Sequence, residues 1–533
     1  MLLRTLIAAV LVAAAFSNAV AGPALVAGPA DVPHRGVYEV ALEAAADVPD
    51  PYLGATVQVT FTRPDGSKAT VDAFYDGGRT FKARAYADAV GAWSWASSAQ
   101  AAGLGGRRGT FKVVPSALKG KLRKHPDDPR QFACDDGTWF LHIGDTGYRY
   151  VTATEPRWKE YIDQAARMGA TKIRTWFCQS RGGVEALFAD GRRGLALAYW
   201  QEIDRRVRYA LEAHPQVQLK LILYGEDTAE LARAGQGDAL SLYAARYAQA
   251  RWSAMPNVHW CISNDREIVR GEAKGGRRVS AATIDRIGRE MAAREPWGTL
   301  LTNHQLRFGG YDFVDAPWSD IVTLEDLDQV HGAKILEYRP RGDDPVVNDE
   351  DRYELYKPPA HPRYFFRRLM WASILSGGHA TYGGLRTYEP YDGDTRGVSG
   401  YFDAKAAGKL AGGADDFVHI HTFFREAGLT PVGMQPDDAC VGGDLYKWKA
   451  LRGADAIIVY LANPTGTKPE SDDAAPAAPA VTVRLPAGAW AARWFQPTTG
   501  RWTDGGRVAG APATLKAPGG GDWVLVLRRT AGG

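Results

Sequence analysis

Between residues 131 and 428, short apolar runs alternate with longer helical stretches, and this pattern restricts the fold more than any other feature. The runs are Trp139–Gly144, Lys172–Phe177, Leu219–Tyr224, Val258–Ser263, Thr299–Asn303, Ile321–Leu324, Pro345–Asn348 and His379–Gly383. Helical patterns fill Arg157–Met168, Trp200–Ala213, Leu240–Ala254, Thr283–Arg294 and Pro362–Leu375. Pro156 and Pro362 stand near helix starts, where a missing backbone N–H costs little. Eight strand–helix units in about 300 residues predict a closed (β/α)8 TIM barrel. The rival fold, an open doubly wound sheet, calls for a Gly-rich phosphate turn after its first strand, and no such turn follows here.

The flanking regions change period. Residues 34–115 alternate as strands, with Val57, Val59 and Phe61 on one face and Pro64-Asp65-Gly66 as a turn. Such turn signals every 8–12 residues predict a β-sandwich. Residues 430–530 read as all-β again, through Ala456–Leu461, Val481–Leu485, Ala491–Phe495 and Trp523–Leu527. The Pro-, Ala- and Asp-rich 464–479 stretch reads as a surface loop. The expected organisation is a sandwich over 30–118, a catalytic barrel over 125–428 and a second sandwich over 430–530. The basic Lys119–Arg130 stretch reads as a linker. Residues 1–21 carry Arg4, an apolar Leu6–Phe16 core and Ala19-Val20-Ala21, the pattern of a secretory signal. Export to the periplasm or medium is therefore expected, with no stable membrane insertion after cleavage. The net charge of +3 argues against a nucleic-acid partner. Cys134, Cys178, Cys261 and Cys440 are too widely spaced for a zinc site or a disulfide scaffold; they read as buried free thiols, with one unassigned bridge as the alternative in an oxidising compartment.

In a barrel, catalytic groups stand at the C-terminal ends of strands. Those ends here are Gly144-Asp145-Thr146, Trp176, Tyr224-Gly225-Glu226-Asp227, Ser263-Asn264-Asp265, Asn303-His304-Gln305, Glu325-Asp326, Asn348-Asp349-Glu350, and a last strand with His379 and Tyr382. A helix N-cap explains any one of these acids, but not all of them. Hydrolysis of a glycosidic bond needs two carboxyl groups flanking that bond. Asp265 and Glu350 make the best pair, because the fourth and seventh strands face each other across a barrel mouth. The alternative pairs these acids with Arg266 and Arg352. Glu267 and Glu354 are second choices. Asn264 beside Asp265 suits a sugar hydroxyl, and His304 and His379 are sugar-contacting candidates. His419-Ile420-His421 has no evident third metal ligand. Zincin and serine-hydrolase motifs are missing from the sequence. No metal or other cofactor is expected.

Phe140-Leu-His-Ile-Gly-Asp-Thr146, Pro256-Asn-Val-His-Trp-Cys-Ile-Ser-Asn-Asp265, Val347-Asn-Asp-Glu350 with Tyr353-Glu354, and the segment from Trp371 to Gly383 resemble the apiosidase-like glycoside hydrolases. Members typically carry Gly-Gly-Asp where this chain has Ser263-Asn264-Asp265. The resemblance implies Asp265 as general acid/base and Glu350 as nucleophile of a retaining hydrolase. It suggests Asp145 as a substrate contact. Trp176, Asn264, His304, Tyr353, His379 and Tyr382 complete the expected sugar-binding set. The implied substrate is a plant or algal poly- or oligosaccharide, at a pentofuranose such as apiose. The N-terminal sandwich resembles an Ig-like module. The tail, with Trp494, Phe495 and Trp502, resembles a candidate collagen-binding module. A barrel that binds carbohydrate or matrix without turnover is the competing expectation.

Overall fold

A computed structural model describes residues 24–28, 31–151, 157–177, 187–189, 191–225, 229–271, 278–307, 309–354, 361–383, 407–408, 412–465, 477–509 and 512–530. The signal segment, Cys178, Asp227 and residues 181–186, 272–277 and 386–402 lie outside these residues.

Parallel strands form the middle of the molecule: β1 Ile143–Thr146, β2 Lys172–Trp176, β3 Gln218–Tyr224, β4 Val258–Ser263, β5 Leu301–Thr302, β6 Val322–Glu325, β7 Val346–Glu350 and β8 His379–Tyr382. Their order in the sheet is β5-β4-β3-β2-β1-β8-β7-β6. Side chains and a turn bridge the remaining seam between β5 and β6. Thr302 Oγ1 donates to the Ile321 carbonyl at 2.6 Å and lies 2.9 Å from Thr323 Oγ1. The Asp320 N–H reaches the Leu301 carbonyl at 2.8 Å. The barrel is thus nearly closed. Helices Trp158–Arg167, Leu197–Ala213, Ala239–Trp252, Ala281–Ala293, Ala333–Tyr338, Arg363–Leu375 and Phe417–Ala427 are among those that surround it.

Strand alternation sorts the barrel side chains. Ile173, Leu219, Leu221 and Leu223 join the helix-packed core. Lys172, Arg174 and Lys220 take the other parity and meet Asp349 inside the barrel. A charge cluster therefore occupies the interior of runs that read as apolar.

Two expectations shift. The first strand begins at Ile143, not at Trp139. Residues 119–130 are also more than a linker, since Leu122–His125 pairs antiparallel with Asp128–Cys134. Leu122 and Phe132 of this hairpin pack on Phe140, Leu300, Ile321 and Val347, covering the N-terminal mouth of the barrel. The apolar Phe140-Leu141 pair serves that floor, which explains its resemblance to a strand.

The N-terminal domain has two sheets. One is Leu25–Ala27, Val37–Glu43, Thr80–Tyr86 and Phe74–Gly77; the other is Val32–Pro33, Arg108–Val114, Gly91–Ala99, Val57–Thr62 and Lys68–Asp72. Val57, Val59 and Phe61 point inward as their alternation requires. The domain is tied to the barrel through buried Arg84, which bonds Glu39 at 2.8 Å and both oxygens of Asp204 at 2.6 and 2.7 Å. The C-terminal domain has a six-stranded sheet, Gln435–Pro436 to Arg501–Ala509, and a two-stranded one, Ala480–Val483 with Ala513–Lys516. It docks on the barrel through Arg367, held by Asp522 at 2.8 and 2.7 Å and Asp416 at 2.6 Å. Trp502 stacks on Phe423 of the last barrel helix. Cys134, Cys261 and Cys440 are buried free thiols. Among the described residues, no helix is long and apolar enough to cross a membrane.

Candidate active site

Seven groups converge at the C-terminal ends of the strands. Arg174 rises from β2, and Asn264 and Asp265 follow β4. His304 follows β5, Glu325 ends β6 and Glu350 ends β7. Tyr148 enters from the segment after β1. One donor atom each of Asp265, His304, Glu325 and Glu350 lies within 4.8 Å of the others. These four groups are spaced as ligands to a metal ion would be, and Arg174 also brings positive charge there.

Glu350 is fully hydrogen-bonded. Its Oε1 accepts from the Tyr353 hydroxyl at 2.8 Å. Its Oε2 accepts from the Tyr148 hydroxyl at 2.8 Å and from Arg174. Such charge-assisted contacts hold the carboxyl in place. Arg174 in turn donates to Asn264 Oδ1 at 2.6 Å and lies 4.0 Å from Asp265 Oδ1. Asp265 sits at φ 49°, a left-handed conformation costly for most side chains and tolerated better by Asp. This turn brings its carboxyl beside His304, with Nδ1 3.2 Å from Oδ1. His304 Nε2 faces Glu350 Oε2 at 3.7 Å. Burial, reinforced by Arg174, holds His304 well below the usual imidazole range, so the ring is neutral.

Beneath the cluster, Asp349 accepts from Lys172, from Lys220 at 2.7 Å and from Thr381 at 2.7 Å. Burial alone would raise its carboxyl; Lys172, Lys220 and Arg174 outweigh burial and hold it well below the usual range. Burial likewise pulls Lys172 down to about 8. The Asp349 carbonyl accepts from Arg174 at 2.7 Å, so this buried charge group also fixes Arg174. Burial and the charges of Asp265 and Glu350 push Glu325 up to about 10, against Arg307.

The structure joins Asp265, Glu350, Asn264, His304 and Tyr353 in one site. The alternative arginine pairings do not form, because Arg266 donates to the Gly225 carbonyl and Arg352 pairs with Asp328. Asn264 is buried, and its amide binds Arg174 and the Tyr148 hydroxyl; it positions these groups. Trp176 is fully buried and stacks on Tyr148 at 4.1 Å, so it supports the site from within.

Three expected sugar contacts stand elsewhere. Asp145 is in register with Ile173, on the parity that faces the helices, and accepts from the Tyr161 hydroxyl at 2.7 Å. Tyr382 pairs with Asp145, donates to Glu354 and packs on Phe366 and Phe417. His379 starts β8, at the N-terminal end, against Phe132 of the floor hairpin. Neither second-choice acid is in the cluster: Glu267 is exposed beside Arg278, and Glu354 is buried behind Tyr382. His421 bonds the Gly169 carbonyl at 2.8 Å. Tyr148, Arg174 and Glu325 are the site residues that the predicted set lacked. Glu325 stood among the acids at strand ends, and Arg174 is a charge inside an apolar run; both were visible signals.

The model of the apiosidase-like catalytic domain matches residues 126–426, and that of a domain of unknown function (DUF5060) matches 32–100. No curated protein sequence matches the chain. Among solved structures, a candidate glycoside hydrolase from Bacteroides vulgatus superposes with a TM-score of 0.74 at 17% identity, covering 94% of this chain and 100% of its own. A family 5 glycoside hydrolase from the same organism gives a TM-score of 0.58 at 15% identity, over 77% of this chain and 94% of its own. At these identities the superpositions speak for the three-part fold. The catalytic-domain match spans more than half of the 533 residues and contains the whole carboxyl cluster. The chain belongs to the apiosidase-like family and is a glycosidase.

Proposed function

We propose that this glycosidase is an exported, retaining enzyme that acts on a plant or algal polysaccharide at a pentofuranose such as apiose. The carrying observation is the approach of Asp265 and Glu350, with an oxygen of one within 4.8 Å of an oxygen of the other. Retaining enzymes hold their carboxyls about 5–5.5 Å apart, while inverting enzymes need about 6.5–9.5 Å to admit a water. Glu350, held in place by Arg174, Tyr148 and Tyr353, attacks the anomeric carbon. Asp265 protonates the departing oxygen, then takes a proton from the water that releases the sugar. The substrate class and export rest on the family resemblance and on the 1–21 segment.

The test is a screen of the purified protein on plant and algal polysaccharides and aryl glycosides, beside Glu350→Gln and Asp265→Asn. Release of reducing sugar by the wild type, abolished in both variants, is the expected result. Activity that survives both substitutions would contradict the assignment. A wild type that binds a glycan and releases nothing would favour a binding protein.

A further inference from the structure

Glu325 is the deepest acid of the cluster. Its side chain is 2% exposed, against 11% for both Asp265 and Glu350. The charged and titratable groups that face it come from every neighbouring strand end: Arg174 from β2, Asp265 after β4, His304 after β5 and Glu350 on β7. Arg307, from the loop after β5, donates its backbone N–H to Oε2 at 2.9 Å and places Nε 3.2 Å from Oε1. Lys172 and Lys220 are already committed to Asp349. His304 is neutral, and its buried Nε2 faces the cluster with no hydrogen-bond partner among the described residues. Among the described residues, these three carboxyls face one fully buried guanidinium and one that is 37% exposed. Carboxyls packed this closely in a low-dielectric site do not all ionise together.

Resting on the acid/base and nucleophile roles proposed above, we infer that Glu325 is a third working carboxyl, a neutral acid that donates toward Asp265 and stabilises the anion left when Asp265 gives up its proton. It is a positioning residue, since it acts through Asp265. A separation within 4.8 Å is one that a single bridging hydroxyl or water spans. As the C–O bond breaks, its electron pair stays with the leaving oxygen and the proton on Asp265 passes to that oxygen. Glu350 forms the new bond to the anomeric carbon. Asp265 is then an anion beside a neutral acid, not beside a second anion. Water attack expels Glu350 and returns a proton to Asp265, so the cluster ends with the protons it began with.

Infrared spectroscopy of the full-length protein, with glutamate side-chain carboxyls carrying ¹³C, tests this without substrate. The label separates Glu325 from Asp145 and Asp351, aspartates that burial pushes up to about 7. At about pH 8, where an ordinary glutamate is ionised, the wild type should show a labelled carboxylic-acid carbonyl band. That band should persist in Glu350→Gln and vanish in Glu325→Gln. No labelled acid band in the wild type, or one lost in Glu350→Gln, would overturn the inference. If Glu325→Gln did not fold, the first two spectra would still decide. On a substrate found by the screen, the basic limb of kcat/KM in Glu325→Ala, which lacks the donor, should move to higher pH. An unmoved limb, or one moved to lower pH, would likewise contradict the inference. A failed screen would leave the infrared result standing, so the two readings fail separately.

Discussion

At the residue scale, Arg174 is the hub of the site, because one guanidinium reaches Glu350, Asn264, the Tyr148 hydroxyl and the Asp349 carbonyl. Lysine cannot reproduce that fork. Arg174→Lys should lower kcat by about 10²–10³-fold, the cost of losing one preorganised electrostatic group; steady-state kinetics checks it, and a loss below tenfold would contradict the hub. Tyr353→Phe removes one hydrogen bond from Glu350 and should cost on the order of tenfold in kcat with little change in KM. Legibility at this scale follows from geometry. Asp265 and Glu350 could be read because they directly follow apolar runs at strand ends. Asp145 and Tyr382 also stand at strand ends, but strand parity sends them to the helix layer, a fact that position alone does not carry. His379 was misplaced because it opens its strand. Tyr148 could not be read, because it lies beyond a strand end and only the folded chain turns its hydroxyl onto Glu350.

At the element scale, the barrel interior is polar where the strands read as apolar. Lys172, Lys220 and Asp349 lie at 1, 2 and 0% exposure. Asp349→Ala would leave two buried ammonium groups without their anion and should destabilise the protein by about 3–5 kcal/mol, measured by denaturant unfolding. The depressed carboxyl of Asp349 contributes stability above the ordinary aspartate range, and that contribution is lost as pH falls below about 4. Asp145 has the opposite sign. Burial pushes it up to about 7, so its favourable contribution is complete below about pH 4 and is lost as pH rises to about 7. Asp145→Asn can keep both hydrogen bonds and does not titrate. It should be more stable than the wild type by on the order of a few kcal/mol at about pH 8, and much less so at about pH 5. Equal effects at both would contradict the buried, outward-facing position. The strands themselves were legible from apolar runs, because their outward side chains feed the helix core. The hairpin at 122–134 was not, because its basic residues and prolines mask the Leu122 and Phe132 that seal the floor.

At the scale of the whole molecule, buried arginines join the three parts. Arg84 links the first sandwich to Asp204 of a barrel helix, and Arg367 links that barrel to Asp522 of the last sandwich. Arg367→Ala would take the guanidinium from buried Asp522, leaving it the Tyr460 hydroxyl while Asp416 keeps Arg363, and should cost about 3–5 kcal/mol. Calorimetry should show the C-terminal domain melting ahead of the barrel in that variant and with it in the wild type. The aromatic Trp494–Trp502 segment is spent largely on this packing, with Trp494 in the sandwich core and Trp502 on Phe423. The three-part order was legible because the apolar period changes near 115 and near 430. The side-chain links between the parts were not, because each arginine reads as an ordinary surface charge until its partner, more than a hundred residues away, is beside it.

The most direct test of the central claim is peptide mass spectrometry of the Asp265→Asn variant after brief incubation with an activated aryl glycoside found by the screen. Without its base, that variant should form the glycosyl-enzyme and release it slowly. One added glycosyl mass on the peptide bearing Glu350 is the predicted result. A mass on another acid such as Glu325, or an inverted sugar product with no adduct, would contradict the account.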